Sequence, residues 1–395
     1  MMDAKRIEEL LAVYRNDLLT DTLPFWLRNA IDREHGGFQF CLDRDGTVLD
    51  TDKGIWQHGR FTWLLSTLDY KLRGTEHWQA EWLETAKHGI EFMRQHAFDD
   101  DGRMFFQVTR EGQPLRKRRY VFTEAFGAIA FAAYAKASGD QQAAEEAARL
   151  FRLMLRFNST EGLIPPKVDP GTRPSKGLAV PMITLVTAQI LRETLDDELA
   201  HESVDRAIND LRAFVKPDLQ AVLEMVAPDG SVIDHFDGRT LNPGHTLEAG
   251  WFILEEAHHR SNDAELTELG TRIVDYMWRC GWDEEHGGIL YFRDLKGGPV
   301  QEYWHDMKFW WPHNEAILAT LYAYRATGDN KYAEWHQQVH DWAHDHFRDK
   351  EHGEWYGYLH RDGRISVPLK GNMWKGPFHL PRMQFLCWQL LEGMR

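Results

Sequence analysis

The chain of 395 residues has few cysteines and no long apolar run. Cys41, Cys280 and Cys387 form no CxxC pair and no even set, which argues against a disulfide framework and is typical of a reducing compartment. No segment reaches the roughly 18 consecutive apolar residues that mark a membrane span, and the charged N-terminus lacks the apolar core of a secretion signal. We therefore expect a cytoplasmic protein that does not span a membrane.

Basic charge is also scarce. The sequence has 46 Lys and Arg residues against 61 Asp and Glu residues, a formal net charge of −15, so we expect no binding to nucleic acid or to an anionic membrane surface. The one basic cluster, at 116–119, is short and is interpreted as a solvated loop. No GxxxxGK[ST], no GxGxxG after a strand and no GxSxG occurs, so no motif supports phosphoryl transfer, dinucleotide binding or a serine nucleophile.

What the sequence does contain is a repeated glycine block. Glu-His-Gly-Gly occurs at 34–37 and 285–288, Glu-His-Gly occurs at 351–353, and weaker copies surround three other glycines. The anchor glycines are separated by 66, 60, 68, 57 and 66 residues, and no Ser/Gly/Pro-rich linker divides the units. Six such units fill the chain, so we predict a single domain over 1–395. The anchors are Gly36, Gly102, Gly162, Gly230, Gly287 and Gly353.

Between the blocks the apolar residues follow a helical period. Each unit has a short link, in which Gly ends one helix and Asp or Asn caps the next. Its long link contains the glycine block and an alternating aromatic pattern typical of a small β-hairpin. A helix pair used six times in this way predicts an all-α (α/α)6 barrel of twelve helices with short hairpins in the long loops. The predicted helices are 4–30, 55–73, 76–97, 120–138, 140–157, 177–195, 199–215, 244–260, 263–280, 305–327, 330–347 and 374–393.

The helix after each long loop is predicted to line the centre, because these segments are apolar around their circumference while several of the other helices carry more charge. All six inner helices then begin at the same end. One residue per unit shares the phase of the repeat, at spacings of 64, 58, 63, 68 and 66, so these side chains should converge. They are Arg60, Glu124, Met182, His245, His313 and His379, and Trp56, Glu248, Trp311, Glu315 and Arg382 lie close by.

Some of these residues also have structural interpretations. Glu124 would serve as an ion-pair partner. Glu248 lies three residues after His245 and would orient it. Arg60, between two tryptophans, would pack as a cation–π element, although a guanidinium among apolar helices still needs an anionic or polar partner.

Three more histidines lie four residues apart on one predicted outer helix. His336, His340 and His344 would share a face, but the string HQQVH lacks the glutamate of the zinc motif HExxH. We interpret this set as a solvent-exposed stripe and predict no metal site there.

Five strings identify a resemblance over nearly the whole length: WQHGRFTW, LNPGHTLEAGW, KFWWPHNEA, GEWYGYLHRDG and KGPFHLPR. In this order and at these spacings the sequence resembles the N-acylglucosamine 2-epimerase family, whose members are (α/α)6 barrels and interconvert sugars epimeric at C2. The resemblance implies that His245 and His379 are the acid/base pair. It also implies that Glu315 and Arg382 support catalysis and that Arg60 contacts the substrate near C1–C2.

The sequence of the third inner helix indicates which sugar is the substrate. Cellobiose 2-epimerases and related isomerases usually have a His-containing string there, whereas this chain has Val180-Pro181-Met182-Ile183, as the N-acylglucosamine enzymes do. An apolar wall at Met182 would accommodate an acetamido methyl. The expected reaction is the interconversion of N-acetyl-D-glucosamine and N-acetyl-D-mannosamine, with a histidine on each face of an enediolate and no metal or redox cofactor required. His313 would assist ring opening or bind a hydroxyl.

By resemblance alone, the protein is expected to be a homodimer, and ATP is expected as an allosteric activator. Three alternative functions remain open: an epimerase or aldose–ketose isomerase acting on unmodified sugars, a glycoside hydrolase and a non-catalytic binding protein. The hydrolase would need a pair of carboxylates across a glycosidic bond, for which Glu124 and Glu315 are the candidates. An intact His245/His379 pair argues against the binding protein.

Overall fold

The computed structural model describes residues 2–166 and 168–395 and is mostly helical. Two or more turns of helix occur at every position where the sequence predicts a helix. The helices are α1 (Ala4–Asn16), α2 (Leu23–Asn29), α3 (Ile55–Leu72), α4 (Glu81–His96), α5 (Phe122–Ser138), α6 (Gln141–Ser159), α7 (Ala179–Leu195), α8 (Glu198–Arg212), α9 (Phe236–Arg239), α10 (Pro243–His259), α11 (Ala264–Gly281), α12 (Trp310–Thr327), α13 (Asn330–His346) and α14 (His379–Glu392).

Several helices differ from the sequence prediction. The first predicted helix is interrupted by a π-helical turn, Asp17–Thr22, which separates α1 from α2. The one-turn helix α9 was not predicted. Helices α4, α12 and α14 begin five residues later than predicted. In α12 this is because Lys308–Phe309 pairs as a strand with Tyr358–Leu359, and the chain becomes helical only afterwards.

Each helix that follows a long loop contacts the next such helix along the chain. These helices are α3, α5, α7, α10, α12 and α14. Helices α3, α5 and α12 are buried around nearly their whole circumference, whereas α6 and α8 bury one face only. These patterns agree with the predicted inner and outer sets. Each inner helix follows a long loop, so the first turns of all six lie under the loops.

Strands of two or three residues occupy the long loops. Four antiparallel pairs lie within one loop: β1–β2, β4–β5, β7–β8 and β13–β14. Four others join successive loops: β3–β4, β6–β9, β10–β11 and β12–β13. The strands are β1 (Cys41–Leu42), β2 (Val48–Asp50), β3 (Lys53–Gly54), β4 (Gln107–Val108), β5 (Pro114–Arg116), β6 (Lys176–Gly177), β7 (Val215–Lys216), β8 (Ala221–Val222), β9 (Met225–Val226), β10 (Thr240–Leu241), β11 (Arg293–Asp294), β12 (Lys308–Phe309), β13 (Tyr358–Leu359) and β14 (Ile365–Val367).

The glycine blocks are turns, as the sequence predicts. All six anchor glycines have positive φ, between 69° and 87°, where a side chain is disfavoured. At the second glycine of the full block, a side chain is also excluded by lack of space. A Cβ at Gly37 would lie 2.6 Å from Nε2 of His58, and a Cβ at Gly288 would lie 2.8 Å from Nε2 of His313. The block therefore packs directly against a histidine of the inner helix that follows it.

Three of these blocks are each linked to a neighbouring loop by a cluster of ion pairs. In each, a buried aspartate just before the block pairs at 2.9 Å with a buried lysine that precedes the inner helix, and an arginine of another long loop binds the same carboxylate with two nitrogens. Bidentate pairs of this kind fix geometry as well as charge. The clusters are Asp32–Lys53–Arg110, Asp283–Lys308–Arg361 and Asp349–Lys370–Arg44; the last joins the sixth long loop to the first.

The outer histidine stripe is buried, so the prediction that it faces solvent is wrong. His336 and His340 are 0% and 7% exposed, and the hydroxyl of Tyr14 on α1 lies 3.1 Å from Nε2 of His336 and 2.8 Å from Nδ1 of His340. The first helix of the chain covers this face of α13, which the periodicity of one helix cannot reveal. Among the described residues, no helix has the length and apolar character needed to cross a membrane.

Candidate active site

A cavity of about 940 Å³ lies beneath the long loops, lined by side chains from all six inner helices. Eight of the eleven predicted site residues contribute to its wall, and the helical spacing of these residues explains why they share the inner faces. The eight are Trp56, Arg60, Met182, His245, Glu248, Trp311, His379 and Arg382.

His379, the first residue of α14, is held by a carboxylate. Its Nδ1 lies 2.7 Å from Oε1 of Glu315. Glu315 is fully buried and also accepts hydrogen bonds from Nη2 of Arg382 at 2.6 Å and from Nε1 of Trp251 at 2.8 Å. This network assigns the proton of a neutral His379 to Nδ1, which leaves Nε2 free to accept a proton.

The surroundings of His379 favour its neutral form. Burial lowers the pKa of His379 well below its ordinary value, and the positive charges of Arg382 and Arg60 lower it further. A neutral imidazole with a free Nε2 is suited to act as a general base near pH 7. Glu315 itself has a raised pKa because it is buried, although Arg382 opposes that shift.

His245 stands in the first turn of α10, where Asn242 accepts a hydrogen bond from its backbone N–H at 3.1 Å and caps the helix. Its Nδ1 lies 2.9 Å from both carboxylate oxygens of Glu224. Burial lowers the pKa of His245, but the carboxylate of Glu224, helped by those of Glu248 and Glu315, outweighs burial and the pKa is raised. The pKa values of the two histidines are therefore shifted in opposite directions, which is the arrangement expected of an acid and a base that act together.

Sequence reasoning missed Glu224. It lies in the long loop before α10, between β8 and β9, rather than at the start of an inner helix. A signal was present, because a single glutamate interrupts the apolar run AVLEMV at 221–226 and a charge in such a run needs a partner. Nothing in the sequence identifies that partner as a residue 21 positions away.

Arg60 is enclosed by aromatic rings. Its guanidinium carbon lies 4.0 Å, 4.2 Å and 4.5 Å from the ring centroids of Trp56, Phe126 and Phe378. Burial lowers the pKa of Arg60 to about 9, and its buried Nε has no hydrogen-bond partner among the described residues. A cation held in this way on the cavity wall is ready to donate to a polar or anionic group of a bound molecule.

Arg382 links two carboxylates on the cavity wall. Its Nη2 donates to Oε1 of Glu248 and to Oε1 of Glu315, at 2.6 Å in each case. Ligand atoms of Glu248, Glu315 and His379 lie within 4.8 Å of one another, a spacing that suits a metal ion, but here the guanidinium binds both carboxylates. The contact also corrects the interpretation of Glu248 as the residue that orients His245, since Glu224 has that contact.

The structure does not bring His313 to the cavity. The side chain is fully buried, its Nε2 accepts a hydrogen bond from the N–H of Ile289 at 2.9 Å, and its Nδ1 donates to the carbonyl of Phe309 at 2.6 Å. His313 thus corresponds to His58, which makes the same two contacts with its own loop. The prediction that His313 contacts the substrate is wrong, because the repeat unit that contains His313 was aligned two residues out of step with the others.

Glu124 also lies outside the cavity wall. Its Oε1 accepts hydrogen bonds from Nε of Arg103 at 2.8 Å and from the N–H of Met104 at 3.0 Å. Glu124 is fully buried, so this contact secures the preceding loop to α5. Of the two interpretations available from sequence, the ion-pair partner is the one the structure supports.

Known proteins are similar to this chain in sequence and in fold. The family model described as N-acylglucosamine 2-epimerase (GlcNAc 2-epimerase) matches residues 36–379. The N-acylglucosamine 2-epimerase of Bos taurus is 37% identical over 384 residues, covering 95% of this chain and 90% of that protein, and that of Homo sapiens is 34% identical over 407 residues, covering 99% and 93%.

Among solved structures, the cellobiose 2-epimerase of Bacillus thermoamylovorans B4167 has the same fold, with a TM-score of 0.84 at 22% identity over 98% of this chain and 100% of that one. The match of the family model and the identity to the two mammalian proteins both extend over nearly the full length. The chain therefore belongs to the N-acylglucosamine 2-epimerase family.

Proposed function

We propose that this protein interconverts N-acetyl-D-glucosamine and N-acetyl-D-mannosamine by moving the proton at C2. The observation that carries this proposal is the pair His245 and His379. Both line one cavity, each is held through Nδ1 by a carboxylate, and their pKa values are shifted in opposite directions. The helices α10 and α14 that carry them are separated by α12, so a sugar in the cavity can lie between the two imidazoles.

In the proposed reaction, Nε2 of His379 removes the proton at C2 of the open-chain sugar. The electrons of the C–H bond form an enolate with C1 and its oxygen, and the imidazolium of His245 returns a proton to C2 from the other side. The sugar keeps its composition, and only the configuration at C2 changes. Two bases on opposite faces are required because C2 becomes planar in the intermediate.

Arginine would stabilise the negative charge that develops on O1. Arg60 is the stronger candidate because it lines the cavity and, among the described residues, cation–π contacts hold its guanidinium without a hydrogen bond or an ion pair to a carboxylate. The guanidinium of Arg382 is already bound by Glu248 and Glu315, so its proposed role is to hold Glu315 and His379 in place. A preorganised cation in a water-poor cavity is a strong contributor to this type of catalysis.

An acetamido group is favoured by the wall formed by α7. Met182, Ile183 and Val186 line the cavity on that side, and Met182 is 2% exposed. An apolar wall of this kind receives a methyl group at no desolvation cost, whereas it offers no partner to a free hydroxyl.

The function is tested by incubation with N-acetylmannosamine in deuterated water, followed by proton NMR. We expect N-acetylglucosamine with deuterium at C2, because the proton that returns comes from a histidine in exchange with solvent. The variants His245→Asn and His379→Asn should abolish conversion. A ketose product, or the absence of both exchange and conversion with the wild-type protein, would sink the proposal.

A second candidate acts on unmodified sugars. The cavity of about 940 Å³ is near the upper end for small-molecule sites and leaves room for more than one sugar ring, and the fold is shared with a cellobiose 2-epimerase. Faster turnover of glucose, mannose or cellobiose than of N-acetylglucosamine would favour this candidate. The hydrolase alternative has lost support, because Glu124 binds Arg103 away from the cavity.

We also propose that the helices close into a single (α/α)6-barrel domain over 1–395. Closure is supported by Leu42, which exchanges backbone hydrogen bonds with Gly371 at 3.1 Å, and by the ring contact between Trp63 of α3 and Phe378, directly before α14. A homodimer, a cytoplasmic location and activation by ATP stay predictions that rest on family resemblance.

A further inference from the structure

Glu224 occupies a fixed position at the junction of two loops. Its carbonyl accepts a hydrogen bond from the N–H of Leu178 at 2.9 Å, and the N–H of Leu223 donates to the carbonyl of Phe214 at 3.0 Å. Directly after it, β9 pairs with β6. The loop that precedes α7 thus holds the residue that contacts the histidine of α10.

The contact itself is between charged groups of limited exposure. The side chains of Glu224 and His245 are 20% and 23% exposed, and Nδ1 of His245 lies 2.9 Å from each carboxylate oxygen. Because Nδ1 faces Glu224, the Nε2 atom is the nitrogen available to the cavity. The other charged groups that act on His245 are the carboxylates of Glu248 and Glu315.

The second carboxylate–histidine pair of the site shows why Glu224 matters. Glu315 also binds a histidine through Nδ1, but its charge is offset by Arg382. In the described part of the chain, Glu224 has no ion pair with a lysine or an arginine. The same type of contact therefore leaves His379 in a positive environment and His245 in a negative one.

We propose that Glu224 is a positioning residue of the epimerase, which orients His245 and keeps it in the form that delivers a proton from Nε2. This inference rests on the proposed function. Without the carboxylate, His245 would lose the largest interaction that favours its protonated form, and the intermediate would lose its proton donor on one face. The contact thus assigns the two histidines their different starting roles.

A direct test is the NMR titration of His245 in protein labelled with ¹³C-histidine, its signal assigned by its loss in His245→Asn. The variant Glu224→Gln keeps the size and a hydrogen-bond acceptor but removes the charge. We expect the pKa of His245 to fall by at least about one unit, and Glu224→Asp to restore most of it. An unchanged pKa in Glu224→Gln would overturn the inference whether or not the protein turns over the sugar.

Kinetics separate positioning from a merely structural role. In the pH profile of kcat/KM, Glu224→Gln should lower the maximum by about 10²-fold or more and move the high-pH limb, which reports protonated His245, toward lower pH. The low-pH limb, set by His379, should not move. A loss of activity without movement of the high-pH limb would contradict the proposal.

The matched control is Glu265→Gln, which removes an exposed carboxylate that pairs with Arg212 and does not line the cavity. It should leave both limbs and kcat/KM within about twofold of the wild type. The failure of the proposed function has a different signature, since wild-type protein would then exchange no C2 proton while the histidine titration still reports the effect of Glu224.

Discussion

Glu354 and Lys375 form a buried ion pair at the position where two other repeats have a glycine and a histidine. Each glutamate or glycine lies five residues after the aspartate of its ion-pair cluster, and each lysine or histidine lies five after the cluster lysine. Glu354 adopts a φ of 56°, as a glycine would. One repeat has thus replaced a neutral contact by a charged one, and both partners changed. The corresponding pairs are Gly37 with His58 and Gly288 with His313.

Breaking the Glu354–Lys375 pair should therefore be costly, and replacing both residues together should not be. We expect Glu354→Gly and Lys375→His each to lower the free energy of unfolding by about 3–5 kcal/mol, since each leaves a buried charge without its partner. The double variant copies the other two repeats and should recover at least half of that loss. Urea unfolding of the four proteins measures this cycle. Additive losses would show that the two positions are not equivalent to the glycine–histidine pairs.

His313 and His379 should respond in opposite ways to the same substitution. His379→Asn should abolish conversion of the sugar with little change in Tm, because this side chain faces the cavity. His313→Asn should lower Tm by several degrees, because it leaves the N–H of Ile289 without its acceptor. At a temperature where the His313 variant is folded, its kcat should stay within about fivefold of the wild type. A kcat as low as that of the His379 variant would support the original prediction that His313 contacts the substrate.

Buried neutral histidines should make the protein sensitive to mild acid. Burial lowers the pKa of His336 to about 3 and that of His344 to about 4, below the unfolded value of about 6.5. The unfolded chain therefore binds more protons, so stability is full above about pH 6.5 and is lost as pH falls toward 4, by up to about 1.4 kcal/mol per pH unit for each histidine. Asp17, whose pKa burial raises to about 6, opposes this trend by one proton. Burial also lowers the pKa of three other histidines: His58, His313 and His340.

The measurement is urea unfolding at pH 7, 6 and 5, with His336→Met as the comparison. The variant loses one titrating group, so its free energy of unfolding should decline less steeply between pH 6.5 and 5, whatever its stability at pH 7. Equal slopes for the two proteins would mean that folding does not lower the pKa of His336.

Met182 should determine the preference for an acetamido group. Met182→Ala removes part of the apolar wall, and the loss of such contacts in a pocket costs about 1–3 kcal/mol. We expect kcat/KM for N-acetylglucosamine to fall at least about tenfold, while any activity on glucose or mannose changes little. Val180→Ala is the control, because Val180 lies on the same helix but is 40% exposed. A parallel fall for acetylated and free sugars would place the acetamido group elsewhere.

The repeat made much of the site predictable. Residues in the first turns of helices that follow long loops converge because every inner helix enters from the same end, and His245, His379 and Arg60 were found in this way. The prediction failed where the alignment of the repeat had to be known to within two residues, as for His313. A shift of two positions on a helix turns a side chain by about 200°, which moves it from the cavity to the loop behind.

The sequence by itself determined where the long helices lie, their alternation into inner and outer sets, the end at which the loops gather and the family of the protein. Each of these depends on local periodicity, turn residues and motif strings. Tertiary structure alone decided which charges meet. Glu224, in the loop before α10, binds His245, and Arg382 binds the carboxylate of Glu248. Tyr14 of α1 packs against the histidines of α13. These contacts join residues far apart in the chain, and their protonation follows from burial and neighbouring charge, which exist only after folding.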